Sequence, residues 1–329
     1  MPMSQHPSLT ADQSGLLAAG HGDAPDDVLK HPGMIADTER RALCNLTRDH
    51  YRDGSTIIDA GAFLGASTKA FLRAIEDGGF ANPSVHTYEY GRFSDYSSQF
   101  ATEILSKEFH AGENFGEMLK SLVDDRHNTI QFNLGDIRDF HFSGPEISIA
   151  FLDVLKSTSL MDAVYDKFFP YFADDTVLYQ QDYFHPFHPW IACSMAKYQS
   201  MGAFSYLGRP DPEFGAFNAA VFVVKDLAAV RAVAPSSFRD ASKEEVLDWM
   251  NTAIGLHDHP FEKLNVIGLR SAAVALFDKD EATAQNDFRA GLRDNGIADL
   301  LDHPRQQHHI KRVNTFLRQL VKGKMRFAD

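Results

Sequence analysis

The sequence predicts an α/β fold: a mostly parallel sheet of seven strands, helices on both faces, and a C-terminal helical annex. Two observations in the sequence predict it. Short β-branched runs alternate with helical periods from residue 37 to residue 182, the pattern of a parallel sheet covered by helices. Each run also ends on polar residues, and the first opens into a glycine loop ahead of a helix. Composition agrees, because 44% hydrophobic and 23% charged residues in 329 are enough for a sizeable core and exclude disorder along the whole chain. Single cores stop growing near roughly 250–300 residues, so the length fits one large domain or a main domain with an annex.

Residues 1–30 are rich in Ser, Gly, Pro, Asp and Ala, and lack the basic start and apolar stretch of a signal peptide. They are expected to form a flexible tail, followed by a main domain over 31–226 and a helical region over 227–329. Residues 37–50 place Ala42, Leu43 and Leu46 on a helical period, with Asp37 or Thr38 as N-cap. Residues 55–59 read as the first strand, and 60–68 as a glycine loop leading into a helix carrying Phe71, Leu72 and Ile75. A second strand spans 85–89 and a helix 97–109. The third strand, 129–132, runs out at Asp136, and the fourth, 147–152, ends on Asp153. A helix over 160–172 leads to a fifth strand over 176–180, ending on Gln181 and Asp182. Strands over 204–207 and 219–224, joined by a loop at 208–215, read as an antiparallel hairpin at the sheet edge. Beyond Asp226 the periods are helical. Ser242 and Glu245 form a capping-box pattern ahead of Val246, Trp249 and Met250, and 308–326 reads as an amphipathic helix with a basic face. That face suits solvent, an oligomer partner or an anion-binding surface.

The formal charge is −13, an unfavourable field for a nucleic-acid backbone or an anionic membrane surface. No run approaches the roughly 20 apolar residues of a membrane span. Cys44 and Cys193 lie far apart, which indicates neither a disulfide framework nor a cysteine zinc cluster and fits a reducing compartment. The expectation is a soluble, cytoplasmic protein that acts on a small molecule, binds neither nucleic acid nor membrane, and is compatible with a homo-oligomer.

The glycine loop narrows the ligand. Gly61 and Gly65 sit four apart between strand and helix, which allows a tight turn and close approach to a helix N-terminus. A phosphate-binding loop would need G-x-x-x-x-G-K-[ST], but the spacing is one residue short and Ala66 stands where the lysine should be. The dinucleotide fingerprint G-x-G-x-x-G fails as well, because Phe63 occupies the middle glycine position. What remains is Asp59-x-Gly61-x-Phe63-x-Gly65, a carboxylate beside a loop, which suits a ligand with a positive amino group more than one with a pyrophosphate.

These residues resemble the first motif of the class I S-adenosylmethionine-dependent methyltransferases. Residues 57–68, Ile-Ile-Asp-Ala-Gly-Ala-Phe-Leu-Gly-Ala-Ser-Thr, look like the branch that includes the macrocin-type sugar O-methyltransferases. The resemblance spans residues 35–225, and it implies a Rossmann-like seven-stranded methyltransferase sheet and S-adenosyl-L-methionine as cofactor. It implies that Asp59, Gly61 and Gly65 surround the methionine part, with Phe63 and Ser67 of the same loop among the contacts. Glu89 would accept from both ribose hydroxyls, Asp136 would lie beside the adenine, and Asp153 next to the transferable methyl. Taken singly, such residues also cap helices and turn chains; the ordered set at successive strand ends carries the implication.

Methyl transfer is an in-line displacement at a sulfonium, so alignment does much of the work, and an alcohol acceptor also needs a base. Residues 181–190, Gln-Asp-Tyr-Phe-His-Pro-Phe-His-Pro-Trp, are the expected catalytic loop: Asp153, Asp182, His185 and His188 are the candidate catalytic residues, with either histidine as general base. In the branch resembled, acids at the fourth and fifth strand ends bind a divalent metal. Asp153 and Asp182 would be the ligands here, for Mg2+ or another divalent ion, although Gln181 replaces a second acid. Tyr179, Tyr183, Phe184, Phe187 and Trp190 could line an acceptor pocket or lie in the core. The expected activity is O-methylation of a small hydroxylated acceptor such as a sugar or natural-product intermediate. The alternatives are a non-catalytic cofactor-binding assembly or regulatory module, and a nicotinamide-dependent oxidoreductase.

Overall fold

Runs of β-branched and aromatic residues build the sheet of this computed structural model, which describes residues 23–210, 218–233, 240–301 and 304–322. Its strands are β1 (Thr56–Ala60), β2 (Val85–Glu89), β3 (Ile130–Leu134), β4 (Ile147–Leu152), β5 (Phe172–Gln180), β6 (Phe204–Gly208) and β7 (Ala220–Val224). Every residue of β1, β4 and β7 is buried, as strands covered on both faces must be. The order is β3-β2-β1-β4-β5-β7-β6. β1 to β5 pair in parallel, and β7 runs antiparallel to β5. This is the Rossmann-like seven-stranded sheet that the sequence predicts. β6 and β7 are neighbours, as the expected hairpin requires, while residues 211–217 of its loop lie outside the described residues.

Strand order reverses between β1 and β4, the place where open α/β sheets bind ligands. There the hydrogen bonding runs past the strand ends. Gly61 N–H donates to Tyr88 O at 2.9 Å, Asp153 N–H to Ala60 O at 2.7 Å, and Gln181 N–H to Leu152 O at 3.1 Å. Gly61, Asp153 and Gln181 are thereby fixed along one carboxyl edge.

The helices are α1 (Asp26–Leu29), α2 (Asp37–His50), α3 (Ala66–Gly78), α4 (Asp95–Leu105), α5 (Gly116–Val123), α6 (Thr158–Phe168), α7 (Pro189–Ser200), α8 (Leu227–Ala232), α9 (Lys243–Leu256), α10 (Pro260–Asp278), α11 (Glu281–Asp294) and α12 (Pro304–Val321). Several differ from expectation for local reasons. The N-cap of α2 is Ala36 rather than Asp37 or Thr38, and Glu39 Oε2 compensates by accepting from Ala36 N–H at 2.8 Å. α4 starts two residues early because Ser94 Oγ accepts from Ser97 N–H at 3.1 Å. α6 stops at Phe168, a 3-10 turn follows, and Phe172 already belongs to β5.

Residues 1–22 of the expected tail lie outside the described residues. Residues 23–30 do not behave as tail: they include α1, whose Val28 is fully buried. The buried Arg40 guanidinium holds this segment. It donates to the carbonyls of Val28 at 2.7 Å, Leu29 at 3.0 Å, His31 at 2.6 Å and Ile35 at 3.1 Å, so the charge is dispersed over backbone dipoles rather than left uncompensated.

The chain forms two compact units. The first comprises Met1–Val154, Tyr171–Gln181 and Leu207–Val224; the second comprises Leu155–Pro170, Asp182–Tyr206 and Lys225–Asp329. The expected boundary at 226 is therefore incomplete, because 155–170 and 182–206 associate with the C-terminal helices. α7 is the reason: it is buried on nearly all sides, and within its unit Lys197 Nζ lies 5.3 Å from the Trp249 ring centre of α9, while Tyr198 packs against Tyr165 and Phe204. α12 is amphipathic as predicted, burying Ile310, Val313, Phe316, Leu317 and Leu320 and exposing Lys311, Arg318 and Lys322. Lys324 and Arg326 lie outside the described residues. Among the described residues, no helix is long and apolar enough to cross a membrane.

Candidate functional site

In the first unit, the turn after β1 is wound by three residues in the left-handed region, Gly61 (φ 95°), Phe63 (φ 49°) and Gly65 (φ 92°). Gly61 must be glycine for packing as well as for backbone reasons, since a Cβ there would stand 2.7 Å from Asp153 O. Phe63 tolerates its conformation because its ring is held among Phe93, Phe100 and Phe115, with centroids 5.6–6.2 Å away. Its side chain thus belongs to an aromatic cluster, and its backbone faces the loop.

Asp59 is fully buried and accepts from Ser67 Oγ at 2.9 Å and Thr68 Oγ1 at 2.5 Å. It ties β1 to the first turn of α3, and Ser67 is spent on that tie. Burial pushes the Asp59 carboxyl up to about 7, with Glu89 and Asp153 adding like-charge repulsion and the two hydroxyls opposing them. Glu89 Oε2 accepts from Phe63 N–H at 2.7 Å and Oε1 from Gly91 N–H at 3.1 Å. Burial raises its carboxyl too, against these N–H groups.

Asp136 follows β3, but it accepts from Arg138 N–H at 2.9 Å and pairs with the Arg138 guanidinium, capping a short 3-10 turn. Asp153 is half-buried beside Gly61. Sequence reasoning missed Glu39. This α2 residue is buried, accepts from Tyr179 Oη at 3.1 Å, and is raised by burial, with Asp153 adding repulsion and hydrogen bonds from Ala36, Gln181 and Tyr179 opposing it. No periodicity marks it, because it stands one turn into an ordinary helix start. One unit therefore gathers Glu39, Asp59, Glu89 and Asp153 near the switch point of the sheet.

In the second unit, successive turns wind residues 182–188: His185 N–H donates to Asp182 O and His188 N–H to His185 O, both at 3.0 Å. His188 then stands as the N-cap residue of α7. This brings three of the four candidate catalytic residues together. His188 Nδ1 lies 3.2 Å from Asp182 Oδ2, and the His185 and His188 rings stack with centroids 4.9 Å apart. The Lys156 ammonium, absent from the sequence-based candidates, closes on the same Asp182 oxygen. Burial would raise the Asp182 carboxyl, but the hydrogen bond and charge of His188 and those of Lys156 outweigh it and hold it well below the usual carboxylate range. Of the aromatic residues near this loop, Tyr179, Tyr183, Phe184 and Trp190 are core.

The expected divalent metal does not fit these residues. Among the described residues, no group of three or more His, Cys, Asp or Glu is disposed to hold an ion. Asp182, one of the two expected ligands, already shares its outer oxygen between an ammonium and an imidazole, and Gln181 supplies an amide where an acid would be needed.

No protein-family profile matches the chain, and no curated protein is similar to it in sequence. Among solved structures the chain is similar to the O-methyltransferase NovP, at 12% identity over 66% of this chain and 98% of that one, with a TM-score of 0.44. It is also similar to CalS11, a TDP-rhamnose 3'-O-methyltransferase of calicheamicin biosynthesis, at 15% identity over 57% and 78% with a TM-score of 0.39. A third is the SAH-bound methyltransferase PaMTH1 of Podospora anserina, at 15% identity over 69% and 98% with a TM-score of 0.40.

Proposed function

We propose that the chain is an S-adenosylmethionine-dependent methyltransferase that binds its cofactor at the β1–β4 switch point and methylates a hydroxyl of a small acceptor. One observation supports the cofactor assignment: three acids flank the glycine turn, Asp59 tied to the first turn of α3, Glu89 held by the Phe63 and Gly91 N–H groups, and Asp153 packed against Gly61. Such a field repels a pyrophosphate and attracts a sulfonium and an ammonium. It supports adenosylmethionine over a dinucleotide at a site where both are sterically conceivable. Glu89, held by the N–H groups of Gly91, Phe63 and Tyr90, retains acceptor capacity for a ribose hydroxyl.

The acceptor side of the proposal rests on Asp182 and His188. His188 Nδ1 stands 3.2 Å from Asp182 Oδ2; a carboxylate can only accept, so this approach favours the proton on Nδ1 and leaves Nε2 as the base. As the acceptor oxygen forms its bond to the methyl carbon, the carbon–sulfur bond breaks, the sulfur leaves as a neutral thioether, and the hydroxyl proton passes to His188 Nε2. Asp182 then stabilises the imidazolium.

Calorimetric titration with S-adenosylmethionine, S-adenosylhomocysteine and NADH tests the assignment. Micromolar binding of the first two, none of NADH, and at least tenfold weaker binding by Glu89→Gln are expected. NADH binding, or no adenosylmethionine binding, would overturn it. Tight cofactor binding without turnover on any hydroxylated acceptor would favour the non-catalytic module.

A further inference from the structure

Two side chains converge on one carboxylate oxygen in the second unit. Lys156 immediately precedes Ser157, whose hydroxyl caps α6 by accepting from Leu160 N–H at 3.2 Å. Its other neighbour, Leu155, accepts through its carbonyl from Trp190 Nε1 at 2.9 Å, which fixes the Lys156 backbone to the start of α7. His188 is the residue that opens α7, and Asp182 begins the turns leading to it. Lys156 and His188 therefore meet Asp182 Oδ2 from backbones that are locked to each other, not from mobile loops. The Asp182 side chain is only 14% exposed, and that of Lys156 is half-exposed, so the carboxylate end of the pair is shielded from solvent more than in a fully exposed surface ion pair.

We infer that Lys156 is a positioning residue: its ammonium takes the place a divalent cation would hold at Asp182, and the pair fixes the orientation and tautomer of His188. A divalent ion would need several oxygen ligands and would withdraw Asp182 from the imidazole. An ammonium gives one of its three N–H donors to the carboxylate, neutralises it, and leaves it in contact with His188 Nδ1. The lysine thus holds the dyad without consuming it, and the site is metal-independent.

The catalytic meaning of this arrangement rests on the methyltransferase proposal, but its test uses neither cofactor nor acceptor, so the two can fail separately. Two measurements on the full chain decide it. The first is Mn2+ titration of wild type and Asp182→Asn, followed by water-proton relaxation. The second is nitrogen NMR of the His188 imidazole in wild type, Lys156→Arg, Lys156→Gln and Asp182→Asn. Wild type should take up no Mn2+ at submillimolar concentrations. Its His188 should be the Nδ1–H tautomer, kept in Lys156→Arg and replaced by a tautomer mixture in Lys156→Gln. Asp182→Asn removes the pair from the other side and should produce the same mixture, which guards against a folding defect particular to the lysine variants. Mn2+ binding by wild type that Asp182→Asn abolishes, or a His188 signal unchanged by Lys156→Gln, would overturn the inference.

Discussion

Asp59 shows how one buried acid couples the site to stability. Its unfolded value is near 3.8, and in the fold it is pushed up to about 7. Below the lower value both states are protonated and the group costs nothing. Between about 4 and about 7 the unfolded state ionises while the folded state keeps its proton, so stability falls across that window, by up to ~4 kcal/mol if the full shift is realised, and levels off above it. Thermal melts of the ligand-free protein should therefore fall between about pH 4 and about pH 7 and level off above that. Asp59→Asn should flatten that slope, and an unchanged slope would assign the loss to other groups. At this scale the sequence was only partly legible. Asp59, Gly61, Glu89, Asp182 and His188 are marked by motif or by position at a strand end. Arg40, Glu39 and Lys156 are not, because what distinguishes them is which carbonyl or carboxylate they reach across the chain.

Among the elements, strands were the most legible, since buried parallel strands are continuous β-branched runs: β2 and β4 were predicted to the residue. α5 and α7 were not foreseen. α5 is eight residues long and opens on a glycine. α7 is buried on nearly every side, so no polar face sets up a helical period. The α3 start is the element on which the turn depends most. At Gly65 the backbone is left-handed, and an added Cβ would run into Val123 Cγ2 and stand 2.9 Å from Leu119 Cδ1 of α5. Gly65→Ala should cost at least ~2 kcal/mol through backbone strain and overpacking together, measured by urea unfolding. It should also weaken cofactor binding, because α5 can relieve the contact only by moving off the loop. Wild-type stability in this variant would mean that the turn has another accessible conformation.

For the whole molecule, the two units are not two successive lengths of chain. A chain ending at Asp226 would keep every strand yet strip α7 of its partners α9 and α10, including the Trp249 contact of Lys197, and the preceding loop of the His257 contacts of Tyr183 and Phe184. It should be aggregated or lack dispersed amide signals in proton–nitrogen NMR spectra; a well-dispersed spectrum would show that the sheet unit is self-sufficient. Composition and length carried the idea of a main domain with an annex, but a boundary read along the chain could not show that two internal stretches belong with its end.

The interlacing also sets a timetable for synthesis. All the segments of the first unit have been made once Val224 has left the ribosome, whereas α7, translated earlier, must wait for α9 and α10 to be made before the face it packs on them is covered. During that interval the nascent chain carries a nearly all-buried helix without the helices that cover one of its faces. Its yield in the cell should therefore depend on holdase chaperones and on the pace of translation past residue 226 more than the stability of the finished protein would suggest.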